Sequence, residues 1–518
     1  MKKILSVIST LLVFCTLVYS AFPVSAITIT TQETAAGVDS YTSLAPYTEF
    51  NNKLAEGAFY IPGLNTTASY DKNLKFYRSS ETMIPQAMCT VGHYTLITAY
   101  DETEDAKSVI YVLDYNKRLV KTLILPDSYH VGGIAYDSLN DLILVTKASD
   151  KCVAVISIAD FNKYMSFSSD FIKIEYTVSK STSDVEIPNT SGVTYKNGKV
   201  YMSCFDTGNN SVAYCYTPYY NSVTKSYSLS FNYKFNLPNY TQGITITNYK
   251  GKTRLFVSVS YGRNESKNVY CSYLYSYVFD ELTGAKTLDN VLACPPMLQQ
   301  TFVSAGKLYC LFESASNTYK ADNSNPVDMV LPIKLSKICD EKNGSSINIT
   351  ATDVPGGKSV DIVTNIPNAS IYYSTGVPYI KNKKVTNGYS YKQSYLKTAS
   401  SMVYAVAVVE GRIVAVDSMY IQVDRAKAVK GFKVSAYSKK AVNLKWTQNE
   451  DASGYYIYRS TKKGSNYKLI ATLSSSKKSY KDTKVKSNKK YYYKIKAYSN
   501  GSLDSSYSGV VSVKTKKS

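Results

Sequence analysis

Only two imidazoles are available to this chain, His93 and His130. Acid–base chemistry must be built on one of them or on carboxylates. His130 with Asp101 as orienter and a nearby serine would make a hydrolase triad, yet no Gly-x-Ser-x-Gly elbow accompanies them. Two carboxylates facing each other across a cleft could cleave a glycosidic bond, and nothing around Asp101, Asp206 or Glu313 marks one as acid and another as base. These three and His130 are the catalytic candidates. The second chemistry is recognition. The amides of Gln86, Asn189, Gln242 and Gln299 can donate to and accept from hydroxyls, while Tyr240 adds a ring that stacks on a pyranose and His130 an imidazole. These six are the ligand-binding candidates, suited to a glycan. Asp114, Asp160 and Asp280 close apolar strand patterns and read as turn residues. The chain has no Cys-x-x-Cys pair, His-Glu-x-x-His helix, phosphate loop or dinucleotide fingerprint, so no metal and no cofactor is expected.

The elements that position these residues repeat. A small or amide pair precedes a short apolar strand at Gln86-Ala87, Gly132-Gly133, Ser191-Gly192, Gln242-Gly243 and Gln299-Gln300. An alternating strand follows each time: Leu96–Tyr100, Leu142–Thr146, Val200–Phe205, Leu255–Ser260 and Leu308–Phe312. Short strands recurring every 40–60 residues or so are the mark of a β-propeller. Five blades are expected within residues 57–340, with six blades, the extra one from residues 41–80, as the alternative. After Phe312 one further strand is evident, Met329–Leu335, so a strand from residues 57–80 is expected to complete the last blade and remove its open edge. The second blade is expected to use Val153–Ile158 and Phe171–Val178. Hairpin neighbours run antiparallel. The starts of the first strands (Ile84, His130, Asn189, Tyr240, Met297) should therefore ring one mouth of the axis, with Asp101, Lys147, Asp206 and Glu313 on the same face. Gln86, Ser191, Gln242 and Gln299 would line the channel, and Gly132 would leave a gap. His93, in the turn Val91-Gly92-His93-Tyr94, is expected exposed on the opposite face.

Charge and length add to this. Residues 1–26 read as a signal peptide: Lys2-Lys3, the apolar run Ile4–Val18, and Val24-Ser25-Ala26 for cleavage. No later run is long enough to span a bilayer, so a secreted protein, extracellular or loosely wall-associated, is expected. Residues 27–56 are polar and read as a linker. The net charge of +21 is concentrated. From Arg425 to Ser518 stand 23 Lys and Arg against four acids, and residues 27–424 balance to zero. Eight cysteines follow Cys15. Most sit in apolar strands and read as buried free thiols, with Cys204–Cys215 the best disulfide candidate.

Two families are resembled beyond residue 344. Ala369-Ser370-Ile371-Tyr372-Tyr373-Ser374-Thr375-Gly376-Val377-Pro378 and Val403–Ala407 resemble the chitobiase C-terminal-type β-sandwich, over residues 345–424. The turn is shortened to Thr375-Gly376. That resemblance implies an accessory module of an exported carbohydrate-active or cell-surface protein. Val442-Asn443-Leu444-Lys445-Trp446, Gly454–Ser460 and Tyr491–Tyr498 resemble a fibronectin type III domain over residues 426–518, and the strand spacing with a single core Trp is that of a β-sandwich. The whole is therefore expected to be all-β: a propeller followed by two sandwiches, the last strongly basic. The leading function is a binding protein for a glycan or cell-surface protein, its basic tail contacting an anionic cell-wall polymer, with no specific nucleic acid. The alternative is a secreted carbohydrate-active enzyme, a glycoside hydrolase or polysaccharide lyase, with the propeller as catalytic domain.

Overall fold

The computed structural model describes Tyr47, Phe50 and residues 57–517 except 74, 148–150, 183–186, 207–210, 262–270, 322, 324–325, 341–346 and 382–383. The expected signal peptide lies outside the described residues. The protein is all-β; its described residues hold two short helices, Ile158–Met165 and Leu335–Cys339. None is long and apolar enough to cross a membrane. Contacts divide the chain into two compact units. One is Met1–Lys342 with Ile380–Lys384 and Gly411–Val414, and the other is Asn343–Tyr379, Val385–Glu410 and Ala415–Ser518.

In the first unit each sequence repeat becomes an antiparallel meander. Its opening strands are Met83–Val91, Ile134–Asp137, Gly192–Lys196, Thr241–Tyr249 and Leu298–Ser304, called inner strands here. Three of them turn back through pairs of left-handed residues, Asn197-Gly198, Lys250-Gly251 and Ala305-Gly306. Such two-residue turns match the twist of the flanking strands and fix their register. Each inner strand packs against the next, and the fifth packs against the first, so the five close a ring. Apolar cores fill the spaces between neighbouring sheets. Ile84, Leu96 and Ile110 of the first meet Ile143, Val145 and Ile156 of the second, while Phe256 and Leu274 of the fourth meet Leu308 and Leu331 of the fifth.

The fifth sheet is completed from upstream. Phe59 and Tyr60 pair antiparallel with Val330 and Met329, within the stretch the sequence nominates for that edge. Thr67–Tyr70 and Tyr77–Ser80 form a separate hairpin. The expected linker is partly core: Tyr47 and Phe50 are fully buried among Phe312, Met329 and Leu331, with the Phe50 and Phe312 rings 6.2 Å apart, edge to face.

Three expectations need correction. The strand expected at Phe171–Val178 is two strands on two sheets. Phe171–Lys173 runs parallel to Leu119–Ile124 of the first sheet, and Thr177–Ser181 joins the second beside Cys152–Ser157. Asp160 does not end a strand; it lies in the first turn of helix Ile158–Met165, where its backbone N–H donates to the Ser157 hydroxyl at 3.0 Å. Cys204 and Cys215 are out of step: Cys204 faces Val212 and Cys215 faces Tyr201. Three strand steps put them roughly 10 Å apart, beyond disulfide reach. Both are free thiols, as are the buried Cys89, Cys152, Cys294 and Cys310.

Residues beyond 346 form two sandwiches. Ile347–Val354, Gly357–Thr364 and Tyr395–Lys397 form one layer of the first, and Tyr389–Ser390, Ser370–Ser374, Ser401–Val409 and Arg412–Ile421 the other. In the second sandwich a three-stranded sheet, Lys433–Ser438, Ala441–Lys445 and Ser479–Asp482, faces a four-stranded one. The latter holds Lys468–Ser474, Gly454–Ser460, Lys490–Tyr498 and Val511–Lys514. Trp446 packs at 5.3 Å on Tyr455 in the core between them. The Tyr491 hydroxyl accepts from the Lys486 amide at 2.9 Å, a corner that pins the chain before its strand. Asp482, fully buried, accepts from Arg459 and from the Tyr493 hydroxyl.

Candidate functional site

The recurring amides mark bulges. Pairing slips by one residue between Pro85 and Ala87, between Thr241 and Gly243, and between Leu298 and Thr301. Gln86, Gln242 and the pair Gln299-Gln300 are therefore the places where the ladder is broken. A bulge re-aims a side chain and tightens the local twist, which suits strands converging on an axis. The convergence is close. A Cβ on Gly133 would stand 2.4 Å from the Val193 amide, and one on Gly243 would stand 2.8 Å from the Gln300 Cα. Glycine occurs at these positions because neighbouring backbones touch.

Gln300 closes the axis. Its Nε2 donates to the carbonyls of Val193 at 3.0 Å and Ile134 at 3.3 Å, two different inner strands on the far side of the ring. Its Oε1 is buried without a hydrogen-bond partner.

At the starting ends of the inner strands, where the sequence places the mouth, the candidates are drawn into separate local contacts. Gln86 Nε2 donates to Glu313 at 2.9 Å, and both side chains are buried. His130, half-buried, lies 4.5 Å from the Tyr100 ring. Tyr240, half-buried, packs on Tyr261 and Phe205 at 4.9 and 6.0 Å, and its amide donates to the Asp206 carbonyl. Gln299 is buried with an unpartnered Nε2, while Gln242 is half-buried and Asn189 exposed. Asp101 is committed to structure, accepting from Ser80, Thr103 and the amides of Asp105 and Ala106. Burial raises its pKa, but the hydrogen bonds from Ser80, Thr82, Ala106 and Thr103 outweigh it and hold the carboxyl below its usual value. Lys147 is likewise used: its Nζ pairs with Asp127 at 3.0 Å and lies 4.8 Å over the Tyr129 ring. The structure thus joins Gln86 with Glu313 and Tyr240 with Asp206. It ties Asp101 into a turn.

A cavity of about 320 Å³ lies at the other end, lined by residues of all five inner strands. Gln300 belongs to its lining, and every inner strand contributes a hydroxyl: Thr90, Tyr136, Thr194, Thr245 and Thr301. Thr245 Oγ1 lies 2.9 Å from Thr301 Oγ1 and donates to the Thr301 carbonyl at 2.5 Å. Tyr136 and Tyr195 keep their protons at neutral pH. The hydrogen bond to Asp141 is the main cause for Tyr136 and burial for Tyr195, and both are pushed up to about 12. Lys196 and the exposed Asn197 stand at its edge, and the described lining contains no carboxylate and no imidazole. His93 is exposed, as expected. Sequence reasoning missed this set, although the repeated Gly192-Val193-Thr194 and Gly243-Ile244-Thr245 carried a signal for it.

No protein-family model matches the chain, and no curated protein matches it. Among solved structures, an Fn3-like protein from Clostridium thermocellum is similar at 33% identity, over 18% of this chain and 96% of that one, with a TM-score of 0.17. The fn3 domain of human contactin 1 is similar at 15% identity, over 19% and 84%, with a TM-score of 0.18. FN3tt is similar at 26% identity, over 19% and 99%, with a TM-score of 0.16. The C-terminal sandwich, with its three-on-four layers, core Trp446 and Tyr491 corner, is fibronectin type III-like.

Proposed function

We propose that this protein is an exported binding protein: a five-bladed β-propeller that recognises a glycan in its axial cavity, carried with two accessory sandwiches. The first sandwich, residues 345–424, is read as the chitobiase C-terminal-like module. The basic tail holds the protein on an anionic polymer of the cell envelope. One observation carries the glycan reading, namely that each of the five inner strands contributes a hydroxyl-bearing residue to the lining of a cavity floored by the unpartnered Gln300 Oε1. Such a site offers many neutral donors and acceptors and few charges, which matches the surface of a sugar. Catalysis of glycoside cleavage needs two carboxylates flanking the bond. The described lining supplies none, which favours recognition. Lys196 gives the rim one cation, suited to a sugar that carries an acid group. The charged and apolar character of residues 1–26 supports export.

A glycan array probed with the full chain tests this. Binding to a defined glycan class should drop about thirtyfold in the double variant Thr194→Val/Thr245→Val, which loses two hydroxyls worth about 1 kcal/mol each. Lys196→Gln should weaken acidic glycans selectively. An array with no glycan bound, or one that the double variant reads as strongly as the wild type, overturns the proposal.

A further inference from the structure

Part of the charge of the C-terminal sandwich is ordered along the outer face of its four-stranded sheet. Between Arg425 and Ser518 stand 23 Lys and Arg against Glu450, Asp451, Asp482 and Asp504. Three of those acids are used internally, Asp451 by Lys427, Asp482 by Arg459 and Asp504 by Lys496. Four acids cannot neutralise 23 cations, so the balancing charge comes from outside the domain.

The four-stranded sheet buries Tyr455, Ile457, Tyr493 and Ile495 completely, and alternation turns the residues between them outward. Lys490, Tyr492, Lys494 and Lys496 then follow one another along the outer face, with Tyr458 opposite Lys494 and Tyr456 opposite Lys496. Ammonium groups and rings interlock there. The Lys494 Nζ lies 3.6 Å from the centre of the Tyr507 ring and 4.4 Å from that of Tyr467. The Lys496 Nζ lies 5.5 Å from both Tyr456 and Tyr507, and the Lys490 Nζ 5.5 Å from Tyr492.

Two consequences follow. The rings hold the lysines in place, which removes rotamer freedom they would otherwise lose on binding. Ring faces covered by ammonium groups are also poor platforms for stacking a base or a sugar. Lys490 and Lys494 therefore present ordered point charges, the form in which lysine binds phosphate, while Lys496 shares its charge with Asp504. From Lys490 to Lys496 the row spans about 20 Å at the usual strand rise.

We propose that this face docks a linear polyphosphodiester, a wall polymer of the glycerol-phosphate type. The proposal rests on the reading of the tail as polyanion-binding and adds the face, the residues and the polymer chemistry. The test is sedimentation of the full chain with purified cell walls that carry poly(glycerol phosphate), at low salt. The double variant Lys490→Gln/Lys494→Gln should bind about tenfold more weakly or worse, whereas Lys433→Gln/Lys445→Gln, equal in charge on the opposite sheet, should stay within about twofold. Tyr467→Ala/Tyr507→Ala should also weaken binding, although it alters no charge. Equal losses in the two lysine variants, or an unaffected tyrosine variant, overturn the face and leave the tail reading standing. Duplex DNA competing as well as free poly(glycerol phosphate) overturns the polymer assignment. Wild-type protein that fails to sediment, or sediments equally with walls stripped of the polymer, overturns the tail reading itself.

Discussion

Phe50→Ala should cost the ring about as much as losing a central core residue. Phe50 is completely buried, meets Phe312 edge to face at 6.2 Å, and lies among Met329, Leu331 and Leu308. Truncating a buried Phe to Ala removes its transfer free energy and leaves a cavity that a close-packed core refills only in part, about 3–5 kcal/mol in total. The pair it loses with Phe312 is included in that figure. At a urea slope of about 3 kcal/mol/M the midpoint should fall by roughly 1–1.7 M. The assay is urea unfolding of the full chain followed by tyrosine fluorescence, with Val223→Ala as a control because Val223 is 91% exposed. A midpoint within about 0.3 M of the wild type, about 0.9 kcal/mol at that slope, would refute the claim that residues before 57 belong to the core.

Gly243→Ala should destabilise the ring by about 1–3 kcal/mol through overpacking, because its Cβ would stand 2.8 Å from the Gln300 Cα. Gly464→Ala, which meets nothing within 4 Å, is the control, and equal urea midpoints for the two would contradict the crowding. Asp101 has a folded pKa below its unfolded one, so its contribution is complete above about pH 4 and is lost as pH falls through the folded value. Asp101→Asn should therefore lower stability at pH 7 and flatten the acid limb below about pH 4. Urea midpoints measured across that range check it, and an acid limb parallel to the wild type would count against it.

The repeat was legible because its strands keep phase, and so was the closing edge, since the fifth meander visibly lacked a strand that Phe59–Tyr60 supplies. The end of the axis that holds the cavity was not. Alternation predicts which side chains share a face only while the ladder is regular, and the inner strands slip by one residue at Gln86, at Gln242 and at Gln299-Gln300. Gln300, the second member of its pair, became the floor in place of Gln299. Tyr47 and Phe50 are two aromatics in a Thr- and Ser-rich stretch with no periodicity to announce burial. Helix Ile158–Met165 did carry a sign, Ser157 three residues before Asp160, although its eight residues are too few for a helical period to stand out against the strand before it. Residues 171–178 looked like one strand because composition reports strand character and not which sheet edge a strand joins.

The cavity at the far ends of the inner strands is the centre of this account. Isothermal titration of an array-selected oligosaccharide into the full chain, as wild type, Thr194→Val and His130→Ala, tests it most directly. Thr194→Val should weaken binding about five- to tenfold, the loss of one buried hydroxyl contact of about 1 kcal/mol, while His130→Ala stays within about twofold of the wild type. Weakening by His130→Ala with Thr194→Val unaffected would contradict the account and return the site to the end of the axis where Gln86 meets Glu313.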